Sequence, residues 1–312
     1  MVTVFRRFGV SGAVLTILSV LLLCLFVFHR HLPNRAWNLG SLVETFLPWF
    51  GLAIIPLLVW AALKRNVVTI VVAILPGLVW AYMYGPLLPD KSEGPGDFRV
   101  LSHNVEDINP NPEETARHVR DANADVVALV EITSEAMPTY RDVLAEQYPY
   151  TADYGTVALW SKYPISVSEP VDIGIDWTRA FRATVQVEGI DVSIYVAHLL
   201  SVRLMPDEGF TIDQRNRTAQ MLGDAIEADA YDRVILMGDL NGTMQDKTLA
   251  PITYQMRSAH ASAGRGFGFT WPSSFPVARI DQILYRGLEA TDAQVLSQTG
   301  SDHLPVQADF NL

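Results

Sequence analysis

Three apolar runs fill most of the first 84 positions of this 312-residue chain and set what the rest can be. Val10 to Phe28 carries no charge and is long enough to cross a bilayer as a helix. Leu42 to Leu63 is broken only by Glu44 near its start, and Val67 to Tyr84 is again uncharged. Pro48, Pro56 and Pro76 would disrupt soluble helices, but membrane helices tolerate proline where neighbours satisfy the freed backbone. Trp37, Trp49, Trp60, Trp80, Tyr82 and Tyr84 sit mostly toward run ends, as an interfacial aromatic belt requires. A cleaved signal peptide would account for Arg6, Arg7 and the first run alone. No small-x-small site follows Phe28, however, and two more runs come after it. The expectation is a membrane domain over residues 1–90, with helices at about 10–28, 42–63 and 67–84.

Charge near the span ends sets orientation. Arg6, Arg7, Lys64 and Arg65 fall on one side, against Arg30, Arg35 and Lys91 on the other. Four against three favours a cytoplasmic N-terminus, a multi-pass protein of the cell membrane, and an extracytoplasmic C-terminal domain. The sole cysteine, Cys24, lies inside the first run and leaves the compartment open. Residues 1–90 hold six of the 23 Lys/Arg and two of the 34 Asp/Glu, so the remainder carries 17 and 32, a net of −15. No basic cluster suited to nucleic-acid phosphates appears there, which lowers a nuclease reading without excluding it.

A linker over residues 91–97, in a Pro- and Gly-rich stretch from Pro86 to Gly96, joins the membrane part to residues 98–312. In that second part, short apolar strands repeatedly end in polar or titratable residues. Val234 to Met237 runs into Gly238-Asp239-Leu240-Asn241, and Leu101 to His103 into Asn104-Val105-Glu106. Val126 to Val130 ends at Glu131, and Tyr195 to Ala197 at His198. Arg279 to Tyr285 alternates like a strand around Asp281, and Ser301-Asp302-His303 precedes a last strand from Val306 to Phe310. Asp and Asn after Gly are also ordinary turn residues; six such strand ends together are not explained that way. Asn111-Pro112-Glu113-Glu114 reads as a capping box opening a helix to about Asn123, and Thr133 as the cap of another to about Gln147. Short strands follow at 157–161, 165–171, 180–187 and 190–197, the last two a hairpin across Glu188-Gly189, and a helix spans about 212–228. Strands interleaved with both helices and hairpins indicate mixed sheets in an α/β fold.

From about Phe98 onward these motifs, in this order, resemble the endonuclease/exonuclease/phosphatase superfamily, which includes deoxyribonuclease I, neutral sphingomyelinases and inositol polyphosphate 5-phosphatases. The resemblance implies a four-layer sandwich of two mixed sheets packed face to face, helices outside, and a site at one edge. It implies a metal set of Glu131, Glu106, Asp302 and Asn104, hard oxygen donors that suit Mg2+ or Mn2+. It further implies catalytic His198, Asp239, Asn241, Asp281 and His303, with Asp281 orienting the His303 ring. Asn104, Asn241 and His198 are the phosphate contacts it suggests. Arg182 reads either as a further phosphate clamp from its strand or as a salt-bridged surface residue.

The implied activity is metal-dependent hydrolysis of a phosphoester or phosphoanhydride. The three spans and short linker point to the bilayer as partner and to a phosphorylated lipid or polyprenyl substrate. The layout also looks like a bacterial membrane branch of the superfamily associated with glycopeptide-antibiotic resistance. A tethered nuclease acting on extracellular nucleic acid is the alternative. A catalytically silent scaffold would have lost residues such as Glu131, Asp239 or His303, and all are present. No feature singles out a protein partner. Leu199 to Pro206 and Gly264 to Pro272 are apolar or aromatic loops that either pack on the body or form a lip toward lipid tails.

Overall fold

Run length and the placement of proline decide how the N-terminal residues coil. The computed structural model describes residues 9–34, 38–202, 204–205, 209–210 and 212–312. Arg6, Arg7, Arg35, Trp37, Arg203 and Pro206 lie outside them. The chain divides into two units, Met1–Pro89 and Asp90–Leu312.

In the first unit, α1 spans Val10–Phe28, α2 Leu39–Thr45, α3 Ile54–Lys64 and α4 Val67–Tyr84. Three stretches are long and apolar enough to cross a membrane: Val10–His31, Leu47–Lys64 and Val67–Leu87. Large side chains such as Leu21, Leu63 and Leu78 point outward while Leu15, Ala61 and Ala73 pack together, the inverse of a soluble bundle. The second run corrects the expected 42–63 helix. Residues 39–45 form a separate helix, and a 3-10 segment over Leu47–Ala53 leads into α3. Pro48 is the cause: it lacks the N–H that an α-helix continuing past Thr45 would need, so the chain goes on as a 3-10 segment with proline in its first turn. At the start of α4 the Asn66 side chain accepts from the amides of Val68 and Thr69.

The second unit holds β1 (Phe98–Asn104), α5 (Pro112–Asp121), β2 (Val126–Val130), α6 (Met137–Leu144) and β3 (Tyr150–Tyr154). β4 (Val157–Ser161), β5 (Ile165–Pro170), β6 (Ala180–Val187) and β7 (Ile190–His198) follow. A two-strand ribbon, β8 (Leu204–Met205) and β9 (Gly209–Phe210), precedes α7 (Asp213–Glu227) and β10 (Val234–Asp239). Then come α8 (Ala250–Thr253), β11 (Arg257–Ser258), α9 (Ala259–Ala263), β12 (Asp281–Arg286), β13 (Glu289–Val295) and β14 (Val306–Asn311).

Two six-stranded sheets result, ordered β13-β14-β1-β2-β4-β3 and β11-β12-β10-β7-β6-β5. β1–β2 and β7–β10 are parallel and the other pairings antiparallel, so both sheets are mixed. Their facing sides bury Val100, Val126 and Val130 of one sheet against Phe181, Val196 and Met237 of the other. On the outer faces α5 and α6 cover Leu101, Val127 and Leu129, while α7 and α8 cover Tyr195 and Leu236. This is the expected four-layer sandwich.

Local readings differ in places. β3 and β13 were absent from the sequence reading because half-exposed edge strands carry no clean alternation. Asn111 makes no side-chain cap; its own amide donates to Asn109 Oδ1 instead, and α5 stops at Asp121. The Thr133 hydroxyl accepts from Ala136 N at 3.2 Å, but the helix itself starts only at Met137 and ends at Leu144.

The Gly264–Pro272 loop wraps the body. A Cβ at Gly264 or Gly268 would overlap the His260 imidazole, whose Nε2 lies 3.1 Å from Gly266 O. Burial, then the Arg279 charge, pulls His260 from 6.5 to about 4. A histidine held neutral in the fold contributes stability that is complete above 6.5 and is lost as pH falls toward 4. Between pH 7 and 5 the protein should therefore lose about 2 kcal/mol through this group, and His260→Gln should remove that part of the slope. Thermal unfolding of the detergent-solubilised protein across this range measures it; an unchanged slope in the variant would contradict the assignment.

Candidate active site

The polar strand ends named from the sequence meet at one end of the sandwich. β10 delivers Asp239 through Gly238, whose φ of 142° and close approach to the Ala197 carbonyl exclude any Cβ. Asp239 Oδ1 accepts from Asn241 N at 2.8 Å, and Asn241 Nδ2 donates to Leu199 O at 3.0 Å and to Asp239 Oδ2 at 3.2 Å. Asn241 takes a left-handed φ of 47°, which asparagine accommodates better than most residues. Arg215 of α7, fully buried, fixes this turn by donating to Asn241 O at 2.7 Å, Asp246 Oδ2 at 2.6 Å and Thr248 Oγ1 at 2.8 Å.

Asn104, at the end of β1 in the opposite sheet, reaches across. Its Nδ2 donates to Asp239 Oδ2 at 3.1 Å and its Oδ1 accepts from Glu106 N at 3.0 Å. Both ends of the amide are thereby engaged within the protein. Ser301 Oγ donates to Asn104 O at 2.7 Å and accepts from His303 N at 3.0 Å, tying the last loop to β1. His303 Nδ1 and Asp281 Oδ2 are 2.8 Å apart, and His303 Nε2 lies 3.9 Å from Asp239 Oδ2 and 3.7 Å from Asp302 Oδ1. Asp302 N donates to Glu106 Oε2 at 3.0 Å, and Trp271 Nε1 donates to Asp302 Oδ2 at 3.0 Å. Glu131, just past β2 at a φ of 65°, places Oε1 3.1 Å from His198 Nε2.

Burial shapes the protonation states. It pushes His303 down, but the charge and hydrogen bond of Asp281, then the charges of Asp239 and Asp302, outweigh it and raise the ring to about 10. Burial and then the Asp281 charge raise Asp239 to about 7, against the His303 charge and the hydrogen bonds from Asn241 and Asn104. Their charges act on each other across 3.9 Å, so the protonation of one affects the other. Burial, then the charges of Arg179 and His303, keeps His198 neutral. Its Nε2–H then faces Glu131, and Nδ1 is left to accept from Arg179.

The acids also bear on metal binding. Glu106 is raised by burial, then by the charges of Asp302 and, further down, Glu131. Glu106, Asp302 and Glu131 are hard oxygen donors, the chemistry that suits a divalent cation of the Mg2+ or Mn2+ type. Among the described residues, the set whose donor atoms all lie within 4.8 Å of one another is instead Asp239, Asp281 and His303. In that trio, however, Asp281 Oδ2 and His303 Nδ1 are already bonded to each other.

Arg182 does not join this group, which corrects the phosphate-clamp alternative. It sits opposite Tyr195, three residues short of the site end of β7. Its guanidinium meets Glu169 at 2.8 Å and Asp229 at 3.6 Å and lies 5.7 Å from the Tyr231 ring centre. The arginine at the site is Arg179, immediately before β6. It rests against both ring nitrogens of His198, and its buried Nε has no partner. Sequence reasoning passed over Arg179, Arg215 and Trp271. Arg179 alone carried a signal, because it stands at a strand end like the other site residues.

The family model for the endonuclease/exonuclease/phosphatase family matches residues 101–303, well over half of the chain and every site residue above. The chain belongs to this family. Solved structures agree on the fold. The endonuclease/exonuclease/phosphatase from Bacteroides vulgatus is 18% identical, with a TM-score of 0.58, covering 69% of this chain and 98% of that one. TDP2 of D. rerio, complexed with single-strand DNA product, is 18% identical at a TM-score of 0.58, covering 69% and 99%. Sphingomyelinase C from Streptomyces griseocarneus is 21% identical at a TM-score of 0.52, covering 68% and 98%. No curated protein matches by sequence.

The geometry separates the two arginines. Arg179→Ala should lower kcat/KM on a generic phosphodiester by about 100-fold, the scale for losing a preorganised donor. Arg182→Ala should leave turnover within about threefold and cost roughly 1–2 kcal/mol of stability through Asp229. Steady-state kinetics and denaturant unfolding of both variants check this; equal kinetic losses would contradict it.

Proposed function

We propose that this protein is a membrane-anchored, metal-dependent hydrolase that acts outside the cytoplasm on a lipid-linked phosphate or pyrophosphate. The observation that carries the chemistry is the His303–Asp281 pair at 2.8 Å beside Asp239 and the Glu106–Asp302–Glu131 acids. Asp239, raised to about 7, is poised to orient an attacking water and accept its proton near neutral pH. His303, held charged by Asp281, stabilises negative charge on the phosphoryl group and can return a proton. Neutral His198 and cationic Arg179 bind phosphoryl oxygens on the other side. A divalent cation held by Glu131 with Glu106 and Asp302 would add charge neutralisation at the phosphoryl and leaving oxygens.

The lipid part rests on the chain's own anchors. α4 ends at Tyr84, and Glu93 N already donates to Thr291 O in the second unit. Helical coiling continues to Leu87, so five residues, 88–92, lie between the last apolar stretch and that bond. So short a tether limits how far the second unit can stray from the chain's own anchors. The net of −15 in residues 91–312, plus Asp90 counted with the membrane part, offers little attraction to nucleic acid. The charge bias of four against three supports the extracytoplasmic placement. The nuclease reading keeps one support, the likeness to a fold-mate complexed with single-strand DNA product.

Detergent-purified protein should hydrolyse a lipid phosphate or polyprenyl pyrophosphate in Mg2+ or Mn2+, lose turnover in excess chelator and regain it on metal addition. Glu131→Ala should be inactive yet folded. Hydrolysis of plasmid DNA with every lipid phosphate left intact would install the nuclease reading, and full activity in chelator would refute the metal assignment.

A further inference from the structure

Among the described residues of the second unit, six large apolar side chains stand exposed: Ile108, Tyr150, Val167, Trp177, Tyr254 and Phe275. Their positions are not random. Ile108, 77% exposed, lies two residues past Glu106 in a turn closed by Asn109 N donating to Glu106 O. Trp177, 54% exposed, lies two residues before Arg179, which touches His198. Phe275, 69% exposed, tips a loop whose Ser273 bonds the carbonyls of Asp302 and Ser301. Each is thus carried by a loop fastened to a different wall of the site. Tyr150, Val167 and Tyr254 are away from that end of the strands: Tyr150 pairs with Ser161, away from Val157; Val167 pairs with Thr184, in register with Ser193 and the start of β10; and Tyr254 precedes β11, which pairs with Tyr285 rather than the Asp281 end of β12.

We propose that Ile108, Trp177 and Phe275 form an apolar rim that seats the mouth of the active site in the headgroup–acyl boundary of a bilayer, so that a lipid phosphate enters from the membrane. This rests on the lipid reading above. The occupant is a bilayer because the same chain carries three stretches apolar enough to span one, the last of them separated by five residues from the point where this unit is tied down. An acidic domain gains nothing electrostatic from an anionic surface, so apolar side chains must make the contact. Tethering raises the local concentration of lipid so far that three side chains suffice for a reversible contact.

The test uses full-length protein in phosphatidylcholine vesicles. In a Cys24→Ser background, Ile108→Cys, Trp177→Cys and Phe275→Cys are labelled singly with a polarity-sensitive fluorophore, with Tyr150→Cys and Tyr254→Cys as controls. The three mouth labels should shift to the blue and be quenched by lipid-borne nitroxide, and the two controls should not. A triple serine variant at 108, 177 and 275 should lose about tenfold turnover on a long-chain lipid phosphate and keep its rate on a short soluble analogue. Mouth labels as water-exposed as the controls, with long-chain lipid still hydrolysed, would overturn the rim and leave the lipid reading standing. Bilayer-seated labels with no hydrolysis of any lipid phosphate would uphold the contact and overturn that reading.

Discussion

The hydrogen bond from Asn104 Nδ2 to Asp239 Oδ2, 3.1 Å long, joins the two sheets at the one end where their interface is polar. Below it the facing surfaces are dry, with Val100, Val130, Val196 and Met237 fully buried. A second crossing, His303 to Asp281, lies beside it. Sheets packed by apolar side chains leave little freedom to slide, so strand ends that would otherwise fray are held in register. The same dry support raises the free energy of charge at the seam. Asp239 is pushed up and His198 down for that reason, while His303 is held charged by its carboxylate neighbours. The fold supplies the electrostatics of the site.

Much of this was legible in the sequence because a buried strand and its polar end are adjacent in the chain. Val126–Val130 with Glu131, and Val234–Met237 with Gly238-Asp239, state both the element and the group it presents. Contacts made across the sandwich were not legible. Asn104 reads as a ligand, yet its amide is spent on Asp239 and Glu106 N. Arg182 and Arg179 differ by three positions, and the pleat puts the first beneath the helix layer while the second, outside the strand, swings to His198. Arg215 looked like one more polar residue on a helix; only the loop it clamps reveals its place. In the N-terminal unit, composition located three stretches apolar enough to cross a membrane, but the break before Pro48 depends on local sterics that hydropathy does not register.

Hydrolytic chemistry of this kind is shared across phosphoester classes, so the substrate is chosen by what can reach the mouth. Here the reach is bounded by a short tether on one side and by apolar loop tips on the other. On the proposed reading, a site of fixed chemistry at a membrane surface would select amphipathic phosphates without requiring a pocket shaped to one headgroup.

On the proposed reading, a carboxylate set around Glu131 holds the metal and the His303–Asp281 pair does not. Manganese binding to the full-length protein, followed by electron paramagnetic resonance, tests that division directly. Glu131→Gln should abolish the bound-Mn2+ signal and His303→Asn should retain it; the reverse pattern would place the metal on Asp239, Asp281 and His303 and contradict the account.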